Sequence, residues 1–243
     1  MANYSFRLLV FVFLLIPFIG MAAARSQTGS HVKLPEADIS AYPWSAIGKL
    51  NNSVGGSCTG AIIEQDLALT AAHCIFNRRT GRFLPPSSLH LLLGYRRGDY
   101  VVHARVAAYT LGPGYDPGRE LPTISSDWAL LKLTEPLPIA IRPLPIVDQI
   151  PPAGTRLMIG SYERARPYIM TLDDNCQLLG TLPQPSVFEH DCQVGQGSSG
   201  APLLTTDPRT PAIVGMQVAI RRLNRTAIML ALSAPSITIN ESH

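Results

Sequence analysis

The sequence predicts an all-β protein made of two β modules, on three observations. Short apolar runs recur along most of the chain, each bounded by Gly, Pro, Asn or Asp, which is the pattern of strands separated by turns. Almost no stretch sustains the 3.6-residue repeat of an amphipathic helix. A segment holding six prolines, "TEPLPIAIRPLPIVDQIPPAG" at 134–154, divides the runs into two groups. Proline cannot donate to a sheet ladder, so this segment suits an extended connector better than a central strand. One large sandwich with a proline-rich edge is the competing architecture. With 243 residues, 46% hydrophobic and 15% charged, the chain can bury one large core or two small ones.

The chain opens "MANYSFRLLVFVFLLIPFIGMAAARSQ". One basic residue, Arg7, precedes an apolar run from Leu8 to about Ile19, and Ala22, Ala23 and Ala24 follow. This is the layout of a secretory signal peptide cut after Ala24. An uncleaved anchor is the alternative, but the 17 residues from Leu8 to Ala24 are at the short limit for a span, and Pro17 and Gly20 break them. A secreted or periplasmic protein with no stable membrane anchor is therefore expected. Residues 25–40 are polar and lack periodicity, and read as a mobile leader or short pro-segment.

Strand signals follow at "CTGAII" (58–63), "LALT" (67–70), "LHLLLG" (89–94), "YVVHARVAAYTL" (100–111) and "WALLKL" (128–133). Beyond the connector they continue at "RLMIGSY" (156–162), "SVFEHDC" (186–192), "AIVGMQVAI" (212–220) and "AIMLAL" (227–232). Formal net charge is +3 and the 20 Lys and Arg residues are scattered, so no basic face for a nucleic-acid partner is expected. In an exported chain the four cysteines, Cys58, Cys74, Cys176 and Cys192, are expected in disulfides, with three connectivities open. A metal site combining them with His103 or His190 finds no C-x-x-C or H-x-x-x-H spacing to support it, so neither metal nor cofactor is expected.

Three motifs carry chemistry. "GQGSSGAPLL" at 195–204 sets Ser198 and Ser199 side by side between glycines. A serine hydroxyl is a poor nucleophile until an imidazole accepts its proton, so alone this stretch reads as a surface loop. His73, in "LTAAHC", is a candidate base, although alone it reads as a satisfied core histidine. Asp127, in "SSDWALLKL", opens an apolar strand where a carboxylate is costly to bury without a partner; alone it reads as a turn cap.

Together, "LTAAHC", "DWALLKL" and "GSSGAP", with "YPWSAIG" at 42–48 and "SCTGAII" at 57–63, resemble the trypsin-like (chymotrypsin-fold) serine protease family. The resemblance runs from about Tyr42 to Leu232 and is strongest toward the glutamyl-endopeptidase-like secreted branch. It implies two antiparallel six-stranded β-barrels with the active site in the cleft between them. The N-terminal barrel would span about 41–133, the connector 134–154 and the C-terminal barrel about 155–243.

The resemblance further implies a serine endopeptidase working through an acyl-enzyme, with His73 as general base and then acid, Asp127 orienting it, and Ser199 as nucleophile in the register G-x-S-G-x-P. Backbone N–H groups of Gly197 and Ser199 would form the oxyanion hole. Cys58 is expected to pair with Cys74, and Cys176 with Cys192. Gln193 would stand near the base of the primary specificity pocket with Val194 beside it. Gln217 would stand inside the pocket, with Val218 to Ile220 pairing with substrate backbone and Arg221 and Arg222 just past the strand. A neutral pocket would disfavour cuts after Arg or Lys. Many family members carry Asp where Ser198 stands, paired with a newly formed N-terminus; Ser198 has no charge, so that switch is expected to be absent. The expected partner is a protein or peptide substrate, met by a monomer. A non-catalytic binding member of the same fold and an esterase using the same three residues are the alternatives.

Overall fold

The computed structural model describes residues 33–184, 186–207, 209–223, 226–234 and 237, with side chains throughout except at 221–223 and 226–229. The signal-like segment 1–24 and the side chains of Arg221 and Arg222 lie outside the described part.

Eight strands precede the connector: β1 (Ile47–Asn52), β2 (Ser57–Glu64), β3 (Leu67–Thr70), β4 (Phe76–Asn77), β5 (Arg82–Phe83), β6 (Leu89–Leu93), β7 (Val102–Leu111) and β8 (Ala129–Leu133). Six of them close a barrel in the order β1-β2-β3-β8-β7-β6, while β4 and β5 form a separate two-stranded sheet. After the connector come β9 (Arg156–Tyr162), β10 (Met170–Thr181), β11 (Val187–His190), β12 (Pro202–Thr205), β13 (Ile213–Leu223) and β14 (Thr226–Ser233). These close a second six-stranded barrel in the order β10-β11-β14-β13-β12-β9. Every ladder in both is antiparallel. Closure removes the free edges from both barrels, and the two barrels expected from the family resemblance are what the chain forms. The single-sandwich alternative is not.

The strands form where the sequence alternates. On β7, Ala104 and Val106 turn inward while His103 and Arg105 turn out, the period of two that half-buried strands require. One apolar core runs continuously through both barrels and includes Trp44, Leu69, Trp128, Tyr162 and Met216; a second, smaller core of Leu157, Phe188, Leu203 and Val214 lies within the second barrel. The connector is tied to each barrel through residues that are not proline or through proline carbonyls. Leu144 N–H donates to Ile62 O at 2.8 Å and Leu137 N–H to Gln65 O at 2.7 Å; on the other side Val147 N–H donates to Ile213 O at 3.1 Å and Ile213 N–H to Pro145 O at 2.7 Å.

From Leu34 onward the segment read as a mobile leader is docked. Leu172 N–H donates to Pro35 O, Ala37 N–H donates to Met170 O, each at 3.0 Å, and Glu36 pairs with Arg96. The segment is held by backbone pairing to β10 and one buried alanine, Ala37, and such pairing leaves no periodic trace in the side chains. The disulfides join Cys58 to Cys74 and Cys176 to Cys192.

Candidate active site

β3 ends at Thr70, and the chain turns through the 3₁₀ segment Ala72–Ile75, which carries His73. Ala71 and Ala72 are fully buried: only small side chains let the turn settle this closely on the core. The Cys58–Cys74 disulfide then pins the residue after His73 to β2. Asp127 follows another 3₁₀ segment, Ile124–Ser126, and precedes β8. It is buried, at 5% exposure, and both of its oxygens are used. Oδ1 accepts the His73 backbone N–H at 2.9 Å, and Oδ2 lies 2.7 Å from His73 Nδ1.

Because a carboxylate only accepts, the proton sits on Nδ1, and Nε2 is left with its lone pair. Burial pulls the His73 imidazole down, but the charge and hydrogen bond of Asp127 outweigh it and hold the group above its ordinary value. Tyr115 packs nearby against Phe83. Burial first, then the charges of Asp127 and Glu120, push its phenol far upward, so it stays neutral.

Ser198 and Ser199 differ sharply. Ser198 is buried, at 1% exposure, and its Oγ donates to Gly195 O at 2.7 Å. Ser199 is partly exposed, and its backbone carbonyl accepts the Thr59 N–H of β2 at 2.9 Å and touches the Cys74 sulfur. Ser199 is thereby carried to the first barrel beside the disulfide that adjoins His73. Among the described residues no hydrogen bond joins Ser199 Oγ to His73.

The turn around these serines depends on glycine. Gly197 has φ +101° and Gly200 φ +83°, in the left-handed region that side chains disfavour. A Cβ on Gly200 would stand 2.1 Å from Thr59 O. Among the described residues, neither Gly197 N–H nor Ser199 N–H donates to a protein group. Thr59 joins the pieces: besides its N–H to Ser199 O, its Oγ1 accepts Tyr162 N–H at 3.0 Å and donates to Gly197 O at 3.3 Å, and its carbonyl accepts Thr70 Oγ1 at 2.8 Å.

A cleft of about 280 Å³ opens beside His73 and Asp127, walled by Leu121 and Ile124 from the first barrel and Val218, Ala219 and Ile220 from β13. An ion pair between Arg78 and Glu120 stands on its rim. Val218, expected to meet substrate, is on this wall.

The other two pocket candidates differ in their surroundings. Gln217 is 1% exposed; its Oε1 accepts from His190 Nε2 at 2.7 Å, and its Nε2 donates to Ala219 O at 2.8 Å. Both polar atoms of its amide are thus hydrogen-bonded within the protein. Gln193 is exposed, and its N–H donates to Asp173 Oδ2 at 2.7 Å.

His190, set aside as a metal candidate, proves to be a structural partner. Its Nδ1 accepts the Cys192 N–H at 3.2 Å, and burial lowers it to about 4 against the opposing pull of Gln217 and Asp191. Ligand atoms of Cys58, His73 and Cys74 lie within 4.8 Å of one another, but the two sulfurs are joined to each other and offer no thiolate to a metal.

The model of the trypsin-like peptidase domain matches residues 58–216, which is more than half of the chain. The chain belongs to the trypsin-like peptidase family. Trypsin of Sarcophaga bullata is 31% identical over 129 residues, covering 51% of this chain and 46% of that protein. Clotting factor C of Tachypleus tridentatus is 29% identical over 45% of this chain and 11% of its own length. Glutamyl endopeptidase of Bacillus licheniformis is 28% identical over 46% of this chain and 34% of its own length. The chain thus matches less than half the length of each of these relatives. A solved structure of a Glu endopeptidase in complex with MPD superposes with a TM-score of 0.67 at 18% identity, over 82% of this chain and 90% of that one. At that identity it speaks to the fold, which is the same pair of barrels.

Proposed function

We propose that the chain is a secreted serine endopeptidase that cuts peptide bonds through an acyl-enzyme, with Ser199 as nucleophile, His73 as base and acid, and Asp127 as the group that orients His73. The observation that carries this reading is the double grip of buried Asp127 on the His73 backbone and ring. It fixes the one tautomer in which Nε2 can take a proton. His73 Nε2 accepts the Ser199 proton as Oγ bonds to the scissile carbonyl carbon and the carbonyl electron pair moves to oxygen. The N–H groups of Gly197 and Ser199, unspent on protein acceptors, receive that oxyanion. Collapse expels the amine, which takes the proton from His73, and water repeats the sequence to release the acid.

The substrate reading is a preference for uncharged side chains of medium size before the cut. It is supported by the neutrality of Gln193 and by the internal use of the Gln217 amide. Export is supported by the signal-like segment 1–24 and by two disulfides.

The test pairs two substitutions. Ser199→Ala is expected to lose turnover by about six orders of magnitude and to lose labelling by a fluorophosphonate. Ser198→Ala, which gives up only a hydrogen bond to Gly195 O, keeps the label and cuts more slowly. Equal loss in both refutes the assignment. Sequencing the new termini in a digested protein mixture checks the preference, and a profile dominated by cuts after Arg and Lys refutes it.

A further inference from the structure

One carboxylate beside the Ser199 turn has no part in that mechanism. Glu163 follows the last residue of β9, and its side chain reaches the Gly195 peptide: Oε1 accepts the Gly195 N–H at 3.0 Å, with Ser161 Oγ at 3.5 Å. Burial raises the Glu163 carboxyl above its ordinary value, partly offset by the Gly195 N–H. Glu163 is half-buried; Ser161, Thr171 and the charge of Arg166 help the Gly195 N–H to stabilise its carboxylate, which fixes that carboxylate in place against the Gly195 peptide.

The other end of Gly195 is fixed too. Its carbonyl accepts both Ser198 N–H at 3.2 Å and Ser198 Oγ at 2.7 Å. One residue on, Gln196 O accepts Arg164 N–H at 2.6 Å. A Cβ on Gly197 would stand 2.8 Å from Tyr162 O and 3.0 Å from Arg164 N, so the turn lies flat against the end of β9. Among the described residues of 156–164, Glu163 and Arg164 are the ones whose side chains hold this turn, Glu163 at the Gly195 peptide and Arg164 at the Gln196 amide.

We infer that Glu163 is a positioning residue that latches the 195–198 turn onto the end of β9 and so holds the Gly197 and Ser199 N–H groups in the geometry that receives the oxyanion. The inference rests on the proposed peptidase reading. The latch acts on the transition state and leaves ground-state substrate contacts alone. Deleting a whole oxyanion donor costs about 10²- to 10³-fold in kcat, and loosening the peptide that aims the donors costs part of that.

Glu163→Ala is accordingly expected to lower kcat about 10- to 100-fold with KM within about three-fold. Glu163→Gln, whose amide oxygen can still accept the Gly195 N–H, recovers most of the loss. Gly195→Ala disturbs the same latch from the opposite side, because its Cβ would stand 2.9 Å from Glu163 Oε2 and displace the carboxylate. It lowers kcat likewise, and the double variant E163A/G195A loses little more than either single one. Thermal melting identifies any variant that has unfolded; should E163A be one, E163Q and G195A carry the test. Wild type is assayed first with fluorophosphonate and peptide. If it is neither labelled at Ser199 nor active, the peptidase reading and the latch fall together. If wild type is active and the folded variants keep kcat within about two-fold, lose KM and kcat in proportion, or show additive losses, the latch alone is overturned.

Discussion

Lowering the pH from 7 to 5 on the wild-type chain and on His190→Gln isolates the energetic cost of one imidazole. His190 is 1% exposed on β11, with Nδ1 accepting the Cys192 N–H and Nε2 donating to Gln217 Oε1. Charging it would set a second N–H against the Cys192 N–H in a dry site, and burial therefore lowers it to about 4. In the unfolded chain the same group titrates near 6.5. The folded value is the lower one, so as pH falls below 6.5 the unfolded chain takes up a proton that the folded chain refuses. Stability is lost from there downward and levels off below about 4.

The difference of roughly 2.5 units corresponds to about 3 kcal/mol in full, of which about 2 kcal/mol is lost by pH 5. His73 cannot produce this loss: its folded value is raised, so its contribution is present at low pH and fades as pH rises through that value. Urea unfolding followed by tryptophan fluorescence at pH 7, 6 and 5 gives both stabilities, and their difference cancels the carboxylates common to the two proteins. The variant starts lower and declines less. Parallel declines, or a steeper decline in the variant, would show that His190 is not held neutral.

Asp127→Asn is expected to cut kcat about 10⁴-fold by releasing the His73 tautomer, while kcat/KM of wild type has an acidic limb above the ordinary imidazole value of about 6.5 because Asp127 raises His73; a pH–rate profile whose limb lies below that value contradicts the electrostatics described for the site. Gly200→Ala places a Cβ 2.1 Å from Thr59 O at φ +83°, and is expected to cost on the order of 3 kcal/mol as a fall in the urea midpoint; an unchanged midpoint would refute the close approach.

Much of the architecture was legible because its strands carry their own signal. "LALT" and "RLMIGSY" coincide with β3 and β9: each is apolar, flanked by polar or turn residues, and buried. Three barrel strands gave no such signal. β1 contains Gly48, Asn51 and Asn52; β10 runs through Asp173, Asp174 and Asn175 at a register shift; β12 begins with Pro202. Closure by their neighbours makes them strands, and that is tertiary information.

At the site, His73, Asp127 and Ser199 stood out through spacing and resemblance, since chemistry limits which residue types can do that work. Thr59, Glu163 and His190 did not. Their parts consist of hydrogen bonds to backbone groups or amides far away in sequence, which no local pattern encodes. Gln217 shows the same limit from the other side: its position on the strand was legible, but the direction in which its amide is spent was set by His190, 27 residues away.

The placement of Thr59 bears on how the molecule comes apart. It is fully buried on β2, yet three of its four polar contacts belong to the second half of the chain, at Tyr162, Gly197 and Ser199. If either barrel melted alone, Thr59 or its partners would be stranded without hydrogen bonds in an apolar seam, at a cost of about 1–3 kcal/mol for each group. The continuous core through both barrels adds to that cost. Two closed barrels could each have been an independent unit of folding. This seam ties them into one cooperative transition, in which the parts of the candidate site are either all assembled or all lost.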